Sequence, residues 1–166
     1  MGLPGSGKTT VGRLAADRLG RPFLDFDAEL ERRAGASIPE IFAIRGETAF
    51  RDMELALTRE LAGTGGMVLA PGGGWATVPG AVALLRPPAR MIYLRVSPAV
   101  ALQRMGATRA DRPLLRAADP LAELHRLLDR RAGTYASSDL EIDTEAVELQ
   151  GVVDIVARLA STEGED

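Results

Sequence analysis

The chain has 166 residues, of which 46% are hydrophobic and 26% charged, a balance typical of one compact domain with its own core. Its net charge of -3 argues against a general nucleic-acid surface. The absence of cysteine excludes disulfides, thiolate metal sites and a cysteine nucleophile. No apolar run approaches the roughly 18 to 20 residues of a membrane helix, and the first residues do not resemble a signal peptide. We expect a monomeric, cytoplasmic protein.

The basic residues are unevenly divided, because nineteen are arginine and only Lys8 is lysine. Lys8 lies in the segment Gly2–Thr10, which matches the phosphate-binding pattern GxxxxGK(S/T). Glycines let such a loop turn its N–H groups toward phosphate oxygens, and the following helix adds its positive dipole end. A lysine reaches the β- and γ-phosphates on a flexible stem that an arginine does not reproduce. The hydroxyl of Thr9 can bind Mg²⁺, so the motif predicts binding of a nucleotide with magnesium.

The segment in front of this loop is unusually short. A phosphate-binding loop normally follows a buried β-strand, whereas only Met1 precedes Gly2 here. We expect that the start of the reading frame was assigned too late and that the first strand, the middle one of the sheet, is missing. The alternative is that another part of the protein holds the loop.

Strand and helix patterns alternate along the rest of the chain. Short apolar runs predict strands at 23–26, 67–70, 90–96 and 140–143. Helical spacing predicts helices at 9–19, 28–34, 37–44, 47–61, 78–85, from 98, 120–131 and 152–159. Ser37 and Glu40 have the spacing of a capping box, and proline follows a capping residue at Ser97 and Asp119. This alternation predicts a three-layer α/β fold with a parallel sheet, in a single domain over 1–166.

Two carboxylates bracket Phe26 at the end of the 23–26 strand, where open α/β sheets place their ligands. One of Asp25 and Asp27 could hold Mg²⁺ through water, and the other could accept a hydrogen bond from an acceptor hydroxyl. The alternative is that Asp27 only caps the helix predicted from Ala28.

Three other segments are candidates for function, and two of them also have an ordinary interpretation. Arg51 could bind a ligand, or it could form a surface salt bridge with Glu54. The glycines at 72–74 follow a buried strand and could let a ligand approach the backbone closely, or they could form a plain loop. The stretch 106–115 carries two arginines and is typical of a loop that closes over a nucleotide.

Taken together, these segments resemble the shikimate kinase family from Gly2 to about Thr144. The resemblance rests on GLPGSGKTT at 2–10, FLDFDAELERRAGASIPEIFAIRGETAFRDMEL at 23–55, PGGG at 71–74, RPLL at 112–115 and an arginine four residues before Tyr135. It implies the α/β/α P-loop kinase fold with a parallel five-stranded sheet in the order 2-3-1-4-5, whose first strand is absent or truncated here. It also implies a lid at about 106–118.

The resemblance further implies ATP-dependent phosphorylation of the 3-hydroxyl of shikimate, a step in chorismate and aromatic amino-acid biosynthesis. Mg²⁺ would be the cofactor, and no nucleic acid or membrane would be a partner. ATP would be bound by Gly5, Ser6, Gly7, Lys8, Thr9, Thr10, Arg104 and Arg112. Shikimate would be bound by Asp27, Arg51, Gly72, Gly73, Gly74 and Arg131. The metal would be bound by Thr9 and Asp25, and catalysis would depend on Lys8, Asp27 and Arg112.

In this family pattern Asp27 would orient the attacking hydroxyl. The guanidinium groups of Arg51 and Arg131 would bind the substrate carboxylate, which they match in shape. Glu54 would hold Arg51 in place. The walls of the pocket would be Ile38, Phe42 and Phe50, which could equally be ordinary core residues.

Two other functions stay open at this point. Another small-molecule kinase of the gluconate kinase type would share the loop and the lid, but would have no reason to combine Asp27, Arg51, Gly73 and Arg131. A shikimate-kinase-like module that senses a ligand without turnover would keep the fold. The argument for chemistry is the presence of the residues that it would need, namely Lys8, Asp25, Asp27 and Arg112.

Overall fold

The computed structural model describes residues 1–106, 115 and 118–161. The strands are β1 (Phe23–Asp25), β2 (Val68–Ala70), β3 (Ile92–Arg95) and β4 (Leu140–Asp143). The helices are α1 (Lys8–Leu19), α2 (Phe26–Ala34), α3 (Ile38–Leu61), α4 (Ala81–Leu85), α5 (Pro98–Met105), α6 (Pro120–Ala136) and α7 (Leu149–Ser161). None of these helices is both long enough and apolar enough to cross a membrane.

The strands form two parallel pairs. β1 pairs with β2, with Leu24 opposite Leu69, and β3 pairs with β4, with Leu94 opposite Ile142. Within the described residues β2 and β3 are not hydrogen-bonded to each other. The predicted parallel arrangement is therefore confirmed for two pairs of strands, whereas a five-stranded sheet is not.

Met1 lies beside β3 in the manner of a parallel strand. Its amino group donates to the carbonyl oxygen of Ile92, and its carbonyl oxygen accepts from the N–H of Leu94 at 2.8 Å. This alternation of donor and acceptor along one partner is the parallel hydrogen-bond pattern. The residue before the phosphate-binding loop therefore lies at the edge of β3 that is turned away from β4.

The core consists of three clusters of buried apolar side chains. The largest surrounds Trp75, whose buried ring meets Phe26 edge-on with 6.0 Å between ring centroids. A second cluster holds Leu3 of the phosphate-binding loop against α5 and α6. The third packs α1 against α7 and β3. The loop is thus anchored by a buried side chain on one side and by its own helix on the other.

The helix starts expected from local sequence are confirmed. The side chains of Ser97 and Asp119 accept hydrogen bonds from N–H groups three residues later, at 3.4 and 2.9 Å. The carboxylate of Glu40 accepts from the N–H of Ser37 at 2.8 Å. These bonds satisfy N–H groups at helix starts that have no partner within the helix.

The predicted break between the helices at 37–44 and 47–61 is confirmed. Both lie within α3, which is interrupted between them at Gly46 by a non-helical backbone with φ 77° and ψ 172°. Glycine adopts this conformation without a steric penalty. The helix predicted from 78 begins only at Ala81, because the chain first forms a short 3-10 helix at Trp75–Thr77. Most of the predicted lid at 106–118 lies outside the described residues.

A buried hydrogen bond ties α3 to the segment after β2. The indole N–H of Trp75 donates to the hydroxyl of Thr58 at 2.7 Å, and that hydroxyl donates to the carbonyl oxygen of Glu54 at 2.7 Å. We expect Thr58→Val to keep the shape but leave the indole N–H without this partner, lowering the free energy of unfolding by about 1–3 kcal/mol. Urea unfolding followed by far-ultraviolet circular dichroism measures the change.

The matched control is Trp75→Phe, alone and combined with Thr58→Val. Because the double variant lacks both polar groups, its loss of stability should be smaller than the sum of the two single losses. Additive losses would contradict the importance of this bond.

Candidate active site

The phosphate-binding loop is pressed against a neighbouring helix. A side chain at Gly5 would place its Cβ 2.4 Å from the carbonyl oxygen of Ala101 in α5. Real Cβ atoms do not approach so closely, so only glycine fits there. The loop then enters α1 directly, one residue earlier than the helix predicted from Thr9. This contact with α5 determines where the N–H groups of the loop lie.

Lys8 is the first residue of α1, and its side chain folds back over the loop. Its Nζ donates to the carbonyl oxygens of Gly2 at 3.0 Å and Leu3 at 2.8 Å. The ammonium is therefore held beside a helix N-terminus, and both features attract phosphate. The buried hydroxyl of Ser6 has no hydrogen-bond partner within the described residues. The loop combines a positive charge with a polar group that can accept a ligand contact.

The two residues expected to bind magnesium lie in contact. The hydroxyl of Thr9 donates to Oδ2 of Asp25 at 2.6 Å, so α1 and the end of β1 meet at this point. Hydroxyl and carboxylate oxygens are ligands that Mg²⁺ prefers, usually together with waters and phosphate oxygens. The residues present therefore fit a magnesium ion at the mouth of the phosphate-binding loop.

The alternative interpretation of Asp27 as a helix cap is wrong. The cap of α2 is Asp25, whose Oδ1 accepts from the N–H of Ala28 at 3.1 Å. The pairing with β2 ends β1 at Asp25, so α2 begins at Phe26, two residues earlier than predicted. Asp27 consequently lies in the first turn of α2 and does not cap it.

Asp27 faces the glycine run that follows β2. A Cβ added to Gly72 would lie 2.8 Å from Oδ1 of Asp27 and 2.8 Å from Oε1 of Glu54. A side chain at this position would displace both carboxylates. Gly72 therefore lets acidic groups from α2 and α3 approach the same loop.

The next two glycines accommodate arginines in the same way. A Cβ on Gly73 would lie 3.2 Å from Nη1 of Arg131, and one on Gly74 would lie 2.5 Å from Nη2 of Arg51. From the sequence, this run is expected to leave room for a ligand. In the structure it leaves room for the guanidinium groups of Arg131 and Arg51.

Arg51 is held between two carboxylates. Its Nη1 donates to Oε2 of the fully buried Glu54 at 2.7 Å, which confirms the predicted pair but places it in the site rather than on the surface. Its Nη2 and Nε donate to Oε1 of the exposed Glu47 at 2.9 and 3.3 Å. Glu47 is not among the residues predicted from the sequence, although its position four residues before Arg51 is the spacing of a helical ion pair.

Burial controls the ionisation of Glu54. Loss of solvent raises the pKa of its carboxyl group to about 7, against the opposing effect of Arg51. The negative charge of Asp27 raises the same pKa further, and the positive charge of Arg131 lowers it. Oε1 of Glu54 has no hydrogen-bond partner within the described residues. The four side chains therefore form one electrostatically coupled group.

Arg131 carries a guanidinium that is largely removed from solvent. The residue is only 5% exposed, and its Nη1 has no hydrogen-bond partner in the part of the chain that the structure describes. An incompletely paired buried cation is costly. An anionic group that reached this nitrogen would lower that cost.

The remaining predicted ATP contacts lie on the other side of the phosphate-binding loop. Arg104, in the last turn of α5, donates to the hydroxyl and carbonyl oxygens of Thr144, both at 2.8 Å. This links α5 to the segment after β4. Thr10 is exposed in the first turn of α1. Arg112 lies outside the described residues, so its role stays a prediction.

The three predicted pocket walls belong to the core around Trp75. Phe50 is buried there, and its ring lies 4.9 Å from that of Phe42 between centroids. Ile38 and Phe42 are only partly buried and pack against the outside of the cluster. Phe50 is therefore a core residue and supports the helix that carries Arg51, whereas the role of Ile38 and Phe42 as pocket walls stays a prediction.

Comparison with known protein families gives a match over nearly the whole chain. The family model described as shikimate kinase matches residues 4–160. The shikimate kinase of Thiobacillus denitrificans is 42% identical over 157 residues, covering 94% of this chain and 85% of the relative.

Solved structures agree with this match. The shikimate kinase from Acinetobacter baumannii in complex with shikimate has a TM-score of 0.91 and 36% identity, covering 99% of this chain and 92% of that chain. A gluconokinase from Sinorhizobium meliloti has a TM-score of 0.58 at 20% identity, covering 98% and 91%, which shows a shared fold alone. The expected α/β P-loop kinase fold is confirmed, and the chain belongs to the shikimate kinase family.

Proposed function

We propose that this chain is an enzyme that transfers the γ-phosphoryl group of ATP to the 3-hydroxyl of shikimate, giving shikimate 3-phosphate and ADP. The observation that carries the proposal is the buried, incompletely paired Arg131 beside Gly73, with Arg51 one residue further along the same glycine run. Two guanidinium groups at one loop are suited to a small acceptor that carries a carboxylate. The shikimate complex of the related structure supports this choice of acceptor.

On the nucleotide side, the N–H groups of 5–10 and the ammonium of Lys8 bind the phosphates. Positioning and electrostatic stabilisation carry most of the catalysis in such transfers. Thr9 and Asp25 would hold Mg²⁺, which neutralises charge on the phosphates when bound. Arg104 contributes to the nucleotide site, and Arg112 from the lid reaches the γ-phosphoryl group during its transfer.

On the acceptor side, Asp27 accepts the hydrogen bond of the attacking hydroxyl and takes up its proton as the oxygen–phosphorus bond forms. Arg51 and Arg131 bind the carboxylate and so orient the hydroxylated ring of shikimate. The glycines 72–74 line the same position and keep it open. Glu54 acts on the substrate only through Arg51.

The proposal treats 1–166 as one catalytic domain with a lid at about 106–118. We place the enzyme in the cytoplasm as a monomer that serves chorismate and aromatic amino-acid biosynthesis. It needs neither a nucleic acid nor a membrane as partner. Its small-molecule partners are ATP and shikimate.

The central test is an ADP-release assay with shikimate and with gluconate as acceptors. We expect turnover of shikimate and none of gluconate. Lys8→Met should lower kcat by about a hundred- to a thousand-fold, since one preorganised electrostatic contact is removed. Arg18→Met, at an exposed salt bridge further along α1, is the matched control and should keep full activity. Phosphorylation of gluconate but not shikimate would refute the proposed acceptor.

Two substitutions should move the KM for shikimate in opposite directions. Arg131→Gln removes a charged hydrogen bond to the carboxylate worth about 1.5–3 kcal/mol, so KM should rise roughly ten- to a hundred-fold. Glu47→Gln removes an exposed carboxylate that competes for Arg51 with about 0.5–1 kcal/mol, so KM should fall roughly two- to five-fold.

The control for this pair is Glu60→Gln, at an exposed salt bridge to Arg33, which should leave KM unchanged. Steady-state kinetics at saturating ATP gives all three values. A rise in KM for Glu47→Gln would mean that this carboxylate orients Arg51 for the substrate instead of competing with it.

The raised pKa of Glu54 predicts a pH-dependent stability. The pKa is about 7 in the folded chain against an ordinary value of 4.5, so the folded protein binds this proton more tightly than the unfolded chain does. Its contribution to stability is therefore fully present below pH 4.5 and is lost as the pH rises to about 7. At about 1.4 kcal/mol per pKa unit, the change is about 3 kcal/mol.

Urea unfolding of the wild type and of Glu54→Gln across pH 4–8 isolates this contribution. The amino group of Met1, whose pKa is lowered from 8.0 to about 5, acts in the opposite direction but is common to both proteins. The difference between their unfolding free energies should therefore change between pH 4.5 and 7. A constant difference would show that Glu54 titrates normally.

A further inference from the structure

The glycine run 72–74 touches a charged pair on α3. A Cβ at Gly72 would lie 2.8 Å from Oε1 of Glu54, and one at Gly74 would lie 2.5 Å from Nη2 of Arg51. Both distances are shorter than real Cβ contacts, so the glycine backbone already lies against the two side chains. A small displacement of the run toward α3 would therefore disturb the pair, and one away from α3 would separate Arg51 from the run.

The two ends of the run are anchored to different elements. Before it, Ala70 ends β2 and pairs with Asp25 of β1. After it, the short 3-10 helix begins at Trp75, whose backbone N–H donates to the carbonyl oxygen of Gly72 at 3.1 Å. The first anchor is a pair of strands, whereas the second lies against α3. The position of the run relative to α3 therefore depends on how the 3-10 helix is held.

A hydrogen bond between two fully buried side chains joins this 3-10 helix to α3. The indole N–H of Trp75 donates to the hydroxyl of Thr58 at 2.7 Å, and the same hydroxyl donates to the carbonyl oxygen of Glu54 at 2.7 Å. An indole N–H only donates and a carbonyl oxygen only accepts, so the direction of both bonds is determined. The hydroxyl therefore cannot rotate without losing one of them.

The position of Thr58 in α3 connects this bond to the charged pair. Thr58 lies four residues after Glu54, and Glu54 lies three residues after Arg51, so the three side chains are neighbours along one face of the helix. Nη1 of Arg51 donates to Oε2 of Glu54 at 2.7 Å. The hydroxyl that anchors the 3-10 helix is therefore next to the pair that the glycine run touches.

We propose that Thr58 and Trp75 are positioning residues for the acceptor site, because their hydrogen bond holds the glycine run at a fixed distance from Arg51. Neither residue touches the acceptor. The inference rests on the proposed function, in which Arg51 binds the carboxylate of shikimate beside this run. A displacement of about 1 Å in a binding group can cost roughly a hundred-fold in rate. Loss of the bond, with a smaller displacement of the run, should therefore weaken acceptor binding by about three- to tenfold.

The test is steady-state kinetics of matched threonine variants. Thr58→Val keeps the shape of the side chain but removes the hydroxyl, whereas Thr58→Ser keeps the hydroxyl. We expect Thr58→Val to raise the KM for shikimate about three- to tenfold and Thr58→Ser to restore the wild-type value. The KM for ATP should not change in either variant. The control is Thr64→Val, which removes an exposed hydroxyl bonded to the carbonyl oxygen of Leu61 and should leave both KM values unchanged.

These measurements separate positioning from a contribution to stability alone. A loss of stability lowers the amount of active enzyme and hence the apparent kcat, but it leaves KM unchanged. If Thr58→Val yields too little folded protein, Trp75→Phe removes the donor of the same bond and should raise the KM for shikimate in the same way. The double variant should raise this KM no further than one substitution alone, since both remove the same bond.

Three results would overturn the inference. The first is an unchanged KM for shikimate in Thr58→Val or, where that variant does not fold, in Trp75→Phe. The second is an equal rise in the KM for ATP, and the third is a KM for shikimate in Thr58→Ser as high as in Thr58→Val. Failure of the proposed function looks different, because the wild type would then not phosphorylate shikimate, and the inference would fall with it.

Discussion

The site depends on one buried carboxylate. Glu54 is fully removed from solvent, and a charge in that position is stable only because Arg51 donates to it and Arg131 lies nearby. This requirement determines how α3, α6 and the glycine run must pack. A larger residue at 72, 73 or 74 would contact one of these charged groups before any ligand arrived. The glycine run thus gives these charged side chains the room that they occupy.

The two halves of the site are positioned by different means. The phosphate-binding loop is fixed by backbone contact, since Gly5 touches α5 and Leu3 is buried between α5 and α6. The half around the glycine run is fixed by side chains, because hydrogen bonds to Glu47 and Glu54 orient Arg51. A substitution in the phosphate-binding loop should therefore act by displacing the backbone. A substitution in the half around the glycine run should act by changing the balance of charge.

Features that depend on residues close together in the chain could be predicted from the sequence. Features that depend on contacts between distant segments could not. Ser97 and Asp119 mark helix starts correctly because their side chains accept from N–H groups three residues later. Ser37 does so because its own N–H donates to the carboxylate of Glu40, also three residues later. Asp25 and Asp27 are equally plausible caps by type. The pairing of β1 with β2 selects Asp25, and no local pattern reports that pairing.

The same limit applies to the site itself. The pair Arg51–Glu54 follows from helical spacing, but its burial depends on the distant Trp75 cluster and the glycine run. The contact of Thr9 with Asp25 joins residues sixteen apart. Local patterns placed Mg²⁺ on Thr9 and on one of two aspartates, and only the family resemblance selected Asp25. The family kept the order and spacing of these segments, which is why the resemblance supplied what local patterns did not.

The position of Lys8 has a practical consequence. It is the only side-chain amine in the chain, and the α-amino group of Met1 is its close neighbour. An amine-selective reagent therefore has no target elsewhere on the surface, where every other basic side chain is arginine or the single histidine. Covalent labelling would report directly on the phosphate-binding loop, and protection by a nucleotide could be followed on the intact protein without any engineered tag.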